Sequence, residues 1–198
     1  MWAYGGSLDE DNKNGFSKSF MATSRLRFPE GGQCFDYFWD PLEAQWRHWE
    51  TQVAPFNREY EGLFQNLVVP TAETTRQRYL MGLHTASRKG VLYVGSAGTG
   101  KTTLVQDYFS QLDPESVLSA GINFNSFTDS KALQVVIESQ VDKRAGRTFG
   151  PPPSKTLIYF MDDLNMPYLD KYGTQSPICL VRLILDHGLV YDRDHLEE

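Results

Sequence analysis

Eight consecutive residues, "GSAGTGKT" from Gly95 to Thr102, spell the pattern G-x-x-x-x-G-K-[ST]. Each position has a physical task in holding phosphate. Glycines let a loop wind so that successive backbone N–H groups converge on an anion, and a helix beginning at the lysine adds the positive end of its dipole. Lys101 supplies a point charge for the outer phosphates, and the Thr102 hydroxyl completes the shell of a magnesium ion. The phosphate-holding set is therefore Gly95, Ser96, Ala97, Gly98, Thr99, Gly100, Lys101, Thr102 and Thr103. A second stretch, "TLIYFMDDLNMP" from Thr156 to Pro167, runs five apolar or aromatic residues straight into Asp162 and Asp163. Carboxylates at the edge of a core are costly unless paired, hydrogen-bonded or held against a cation. Beside a phosphate loop, an acid ending an apolar strand serves the magnesium directly or through water. Asp162 takes that role. Asp163, next along, points to the opposite face if the strand continues. Taken without the upstream loop, the pair would read as a solvated strand end.

These residues need elements to position them, and the chain supplies an alternation. "VLYVG" (Val91 to Gly95) reads as a short buried strand, and "KTTLVQDYFSQL" as a helix with Leu104, Val105, Tyr108, Phe109 and Leu112 on one side. "VLSAGINFN" and "TLIYFMDD" read as further strands. "SKALQVVIESQVDKR" is a helix with Leu133, Val136, Ile137 and Val141 inward, and "SPICLVRLILDHG" is a helix stopped at Gly188. Strand and helix in alternation mean a parallel sheet covered by helices, an α/β class. Upstream, Thr71 is a plausible N-cap for a helix with Leu80, Leu83 and Ala86 as core positions and Gly90 beyond its end. Leu42, Trp46, Trp49, Val53, Phe56, Tyr60 and Leu63 recur at spacings of 4 and 3, which predicts a helical connector over 35–66, broken near Ala54 by Pro55. Residues 1–34 show no sustained period and read as irregular, and 67–198 form the phosphate-binding domain.

Composition narrows the partners. With 198 residues, 40% of them hydrophobic, the chain can bury one ordinary core. A net charge of -6 argues against a general nucleic-acid binder, because backbone affinity comes from clustered Lys and Arg. No run approaches the roughly 18 apolar residues of a membrane helix, and the first residues lack the order of a signal peptide, so a cytosolic compartment is expected. Cys34 and Cys179 stand far apart without ligand spacing and read as free thiols. Asp186, His187, Asp192, Asp194 and His195 resemble a metal cluster in composition only and read as a solvated helix end. "GPPP" (Gly150 to Pro153) reads as a stiff connector. A small-molecule kinase would need an Arg-rich lid, and only Lys143, Arg144 and Arg147 cluster after the second helix.

"VGSAGTGKT" followed by "FMDDLNMPYLDKYGTQSPICLVRLILDHGLVYDR" resembles the third AAA+ module of dynein heavy chains, most like the ciliary or axonemal ones. "VVPTAETTRQRYL" resembles the segment approaching that module's phosphate loop, and "WAYGGSLDEDNKNGFSKSF" the closing part of the second module. The resemblance implies an AAA+ large subdomain over 67–198, truncated before the strand bearing a polar sensor residue and before the small helical subdomain. It further implies ATP or ADP with Mg2+, neighbouring AAA+ modules in one ring, and a place in the cytoskeleton of the ciliary or flagellar axoneme. Microtubules and the dynein intermediate and light chains would be reached through parts outside this chain, with no nucleic acid and no membrane as partner. The resemblance implies that Asp163 orients the attacking water; it stands where many AAA+ ATPases carry Glu, although the ciliary dyneins commonly show Asp in this module. The alternative is a nucleotide-bound regulatory or structural module without turnover of its own. "DKYGTQ" (Asp170 to Gln175) is distinctive for the family, but its spacing reveals no mechanism, and neither does that of Asn165.

Overall fold

A computed structural model describes residues 1–56 and 67–193. The chain divides into two compact units, Met1–Leu104 and Val105–Glu198. The division falls inside a helix that starts at Lys101.

The first unit begins with a short helix α1 (Trp2–Gly5) and a longer α2 (Glu10–Thr23). The expectation of irregular structure over 1–34 is therefore corrected. The Asp9 side chain accepts from the Asn12 N–H, and Glu10 and Asp11 lie in the first turn. Capping and the favourable dipole interaction offset a weak apolar pattern. The connector is corrected as well. Residues 37–48 form an antiparallel hairpin, β1 (Tyr37–Asp40) with β2 (Gln45–His48), with Trp39 opposite Trp46. Asp40 Oδ1 accepts from the backbone N–H of Leu42 at 2.9 Å and of Glu43 at 3.3 Å, and Ala44 takes φ 51 to close the turn. Spacings of 3 and 4 between aromatics fitted a helix, but aromatic residues also favour strands, and this Asx turn settles the local competition. Beyond a short 3-10 turn (Trp49–Gln52) the backbone is extended at Val53, so among the described residues there is no helix for Pro55 to break. Tyr60 and Leu63, the last positions of that pattern, lie outside the described residues.

Helix α3 (Ala72–Ala86) starts at Thr71, whose hydroxyl accepts from the Thr74 N–H while the Thr74 hydroxyl accepts from the Thr71 N–H. This reciprocal cap bears out Thr71 as the N-cap. Its buried residue is Met81 and Leu80 is half-buried, while Leu83 is 49% exposed and Ala86 is exposed, so those two expected core positions are corrected. The left-handed residue after the helix is Arg88 (φ 52), not Gly90. Trp49 packs edge-on to Tyr79 of α3 with centroids 5.3 Å apart, and Phe38 stacks on Trp49 at 4.5 Å. The Arg76 guanidinium lies 4.7 Å over the Trp2 ring, and burial lowers its pKa. Each such aromatic pair adds about 0.5–1.5 kcal/mol beyond area burial.

Val91–Gly95 is not a strand. Leu92 is 72% and Val94 86% exposed, and no strand pairs with this segment among the described residues. A strand exists by hydrogen bonding to a neighbour, which an apolar tetrapeptide alone does not provide.

In the second unit the parallel sheet is β3 (Val117–Asn123) against β6 (Thr156–Asp162), in register from Val117 opposite Thr156 to Asn123 opposite Asp162. Helix α4 (Lys101–Ser110) runs into this unit, and Phe109 meets Phe160 edge-on at 6.1 Å. Helices α5 (Ser130–Glu138) and α6 (Ser176–His187) bury Ile122, Phe124, Leu133 and Leu180 against the sheet. Val136 is 40% exposed, contrary to its expected inward place, and Gln134 is buried instead. Its amide bridges Glu138 at 2.7 Å and the Tyr191 carbonyl at 2.9 Å, and the Arg193 guanidinium donates to it at 2.8 Å. The helix expected to run to Arg144 ends at Glu138, and β4 (Asp142–Lys143) pairs with β5 (Phe149–Gly150) as a small hairpin that leads into the proline run. Helix α6 stops where expected, at Gly188 with φ 68. Cys34 is a buried and Cys179 an exposed free thiol.

Candidate functional site

The phosphate loop lies wholly in the first unit. Gly98 and Gly100 take φ 77 and 79, left-handed values at which any Cβ is strained by about 1–3 kcal/mol. A Cβ at either would meet nothing within 4 Å, so the glycines serve the backbone path and not close packing. The loop tightens through the Thr99 hydroxyl, which donates to the Ser96 carbonyl at 3.0 Å. The Lys101 ammonium donates to the carbonyls of Gly95 at 2.9 Å and Ser96 at 2.8 Å and to the Thr99 hydroxyl at 3.3 Å. These bonds tie the charge to the loop itself. The Leu104 N–H bonds the Gly100 carbonyl at 2.9 Å and starts α4, whose first turn carries no acidic residue. Its dipole end is thus left to attract an anion. Thr102 and Thr103 stand in that turn, both half-buried.

Beside the loop opens a cleft of about 560 Å³, lined by Leu67, Val68, Val69, Glu73, Thr74, Gln77, Tyr93, Val94, Thr99, Gly100, Lys101, Thr103 and Leu104. That volume suits a nucleotide-sized ligand. Its wall has polar order: Gln77 Nε2 donates to Glu73 Oε1 at 2.6 Å, and the Tyr93 hydroxyl donates to the Gln77 carbonyl at 3.4 Å. Burial raises the Tyr93 pKa. Motif reading missed Leu67 to Val69, Glu73, Gln77 and Tyr93 as cleft residues. The "VVPTAETTRQRYL" segment, which attracted attention by resemblance alone, was the available signal.

The acid pair lies in the second unit. Asp162 is the last residue of β6, half-buried, and its carbonyl accepts from the Phe124 N–H at 3.1 Å. Asp163 is exposed and has left the strand, with φ 55. Side-chain alternation along a strand therefore does not govern it, which corrects the basis on which it was separated from Asp162. Its direction is set by a turn: its N–H donates to Asp162 Oδ1 at 3.0 Å and its carbonyl accepts from the Met166 N–H at 2.9 Å. The following segment explains "DKYGTQ". Asp170 Oδ1 accepts from the N–H groups of Tyr172 and Thr174, both at 2.8 Å, around Gly173 at φ 74. The Gln175 amide donates to the carbonyls of Asn165 at 3.1 Å and Pro167 at 2.7 Å. What the structure records of Asn165 is this carbonyl bond.

The donor chemistry fits magnesium. Among the described residues no group of three or more His, Cys, Asp or Glu could cage a metal. Magnesium at nucleotide sites is held by one or two protein oxygens together with the phosphates; Thr102 of the first unit offers a hydroxyl and Asp162 of the second a carboxylate, each an oxygen donor of that class. Asp186 instead pairs with Arg182 at 3.2 Å.

A glycine-wound loop that holds its lysine and leads straight into a helix is the mark of a P-loop module. Residues 56–198 match the family described as "P-loop containing dynein motor region" and residues 1–51 the "Dynein heavy chain AAA lid domain". The chain belongs to the dynein heavy chain family. It is 41% identical over 201 residues to "Dynein axonemal heavy chain 9" of Homo sapiens and 40% identical over 201 residues to "Dynein beta chain, ciliary" of Tripneustes gratilla. It is also 36% identical over 198 residues to "Dynein beta chain, flagellar outer arm" of Chlamydomonas reinhardtii. These matches take in 98–99% of this chain and 4% of each relative's length. The lid match coincides with the helix-and-hairpin segment upstream of the phosphate loop. No described helix is long and apolar enough to cross a membrane.

Proposed function

We propose that the chain is an ATP- or ADP-binding module of an axonemal dynein heavy chain, comprising the end of the second AAA+ module and the first part of the third. The observation that carries this reading is the left-handed glycine loop holding Lys101 beside the 560 Å³ cleft. In this assignment Gly95 to Thr103 hold the nucleotide, Thr102 and Asp162 serve Mg2+, and Asp163 orients the attacking water. The whole protein would be an ATP-driven microtubule motor of the ciliary or flagellar axoneme, with adjoining AAA+ modules as ring neighbours. Intermediate chains, light chains and microtubules would engage it through other parts.

A second reading, binding with a regulatory role and little turnover, is favoured by Asp163. Its carboxylate is one methylene shorter than Glu and stands on an exposed turn residue. Displacement of about 1 Å can cost on the order of a hundredfold in rate. Calorimetric titration of the purified chain with ATP and with ADP, each with magnesium, tests the shared part of both readings: binding near one equivalent is expected, and no heat of binding rejects them. Single-turnover hydrolysis then separates the two.

A further inference from the structure

We infer that Gln175 is a positioning residue for the acid pair, clamping the loop that follows β6 so that Asp163 keeps its left-handed backbone. The inference rests on the reading of Asp162 and Asp163 as the acids of the nucleotide site. Gln175 occupies the N-cap of α6 but makes no side-chain cap bond there. Its backbone carbonyl opens the helix by accepting from the N–H groups of Ile178 at 3.1 Å and Cys179 at 3.2 Å. The side chain is turned back instead, and its amide donates to Asn165 at 3.1 Å and Pro167 at 2.7 Å. A residue that could satisfy its own helix end thus satisfies a loop eight and ten positions upstream. The target is closely placed: Asn165 lies inside the turn closed by the Met166 N–H to Asp163 carbonyl bond at 2.9 Å, and buried Pro167 follows it.

The far end of the same loop is fixed by Asp170, whose carboxylate gathers the Tyr172 and Thr174 N–H groups and brings Gln175 to the start of α6. The middle is tied to the segment after β3 by the Tyr168 N–H to Ser126 carbonyl bond at 3.3 Å. Asp163 itself is exposed and its φ of 55 is uncommon for a residue with a Cβ. Such a conformation persists when the surroundings over-determine it. Gln175 supplies two of the bonds that do so, and they link helix α6 mechanically to the acids.

Two variants remove the donors while keeping the volume: Gln175→Glu, which is isosteric and charged, and Gln175→Met, which is neutral. Amide hydrogen exchange is measured on each, together with ATP affinity in magnesium and in EDTA. The expected result is exchange at Met166 at least tenfold faster in both variants, with β3 and β6 amides still protected. The magnesium-dependent part of ATP affinity should fall about fivefold or more in both, and affinity in EDTA should stay within twofold. Unchanged exchange at Met166 overturns the clamp whatever happens to nucleotide. Faster exchange with intact magnesium dependence overturns the positioning role. If the unsubstituted chain shows no magnesium-dependent binding, the acid-pair reading fails and the positioning role with it, and the exchange data still decide the clamp.

Discussion

Replacing Lys101 by Ala should separate binding from folding. The ammonium bonds to Gly95 and Ser96 carbonyls and the Thr99 hydroxyl, all on residues exposed to water. Removing it leaves those acceptors solvated, so no buried group is stranded and stability should change by less than about 0.5 kcal/mol. The loss falls on the phosphates. A unit charge about 4 Å from a phosphate oxygen is worth about 4 kcal/mol at an effective dielectric of 20. Lys101 is partly exposed, and water screening reduces this toward the 1.5–3 kcal/mol typical of charge-assisted bonds. A loss of about 2–3 kcal/mol corresponds to roughly 30- to 150-fold weaker ATP binding. Calorimetry on the two proteins measures the ratio, and urea unfolding checks that the fold is intact. Affinities within threefold of each other, with both proteins folded, would refute the assignment of the loop.

Three further outcomes follow from the same geometry. Asp162→Asn should abolish the magnesium dependence of ATP affinity, whereas Asp163→Asn should bind ATP at least as well as the unsubstituted chain, since a negative charge is removed; a magnesium titration showing the reverse would exchange their roles. Gly100→Ala, at φ 79, should destabilise by about 1–2 kcal/mol by thermal unfolding and weaken ATP binding, while Gly90→Ala, a glycine without positive φ, should do neither. Tyr159 donates its hydroxyl to the Ile137 carbonyl at 2.8 Å, and burial raises its pKa above 10.0. A raised folded pKa gives stability fully present below pH 10 and lost as pH rises through the folded value, so unfolding midpoints should fall at alkaline pH. In Tyr159→Phe the neutral-pH midpoint should drop by about 1 kcal/mol equivalent, and Tyr159's contribution to the alkaline loss should vanish.

How much of this was legible in the sequence depended on whether local chemistry or distant pairing decided the outcome. Thr71, Gly188, Lys101 and the strands from Val117 and Thr156 were readable because caps, left-handed stops and apolar runs act over a few residues. The helix predicted through Trp46 failed because its aromatics suit either period, and the deciding feature was the Asx turn at Asp40. Val91 to Gly95 has the composition of a strand, but strand formation depends on a partner elsewhere in the chain. For Asp163 the residue was identified but not its φ, because that backbone is held by Met166 and by a loop whose clamp lies at Gln175, twelve positions downstream. The family-specific "DKYGTQ" block was visible as a pattern long before its Asp170 turn and Gln175 bonds gave it a task.

Helix α3 joins two functions within the first unit. Glu73, Thr74 and Gln77 face the cleft beside the phosphate loop. Arg76 and Tyr79, on the same helix, meet Trp2 and Trp49 of the lid segment. Arg76 also pairs with Glu73, so one cleft carboxylate is shared between the nucleotide side and the lid side. The lid contacts of α3 are an edge-on Tyr79–Trp49 pair and the Arg76 guanidinium over the Trp2 ring. A ligand that reorients Glu73 must therefore alter the Arg76 pair. The same reasoning explains why a lid and the following phosphate loop occur together in one compact unit: α3 supplies a wall to the cleft and a face to the lid, and neither surface is complete without it.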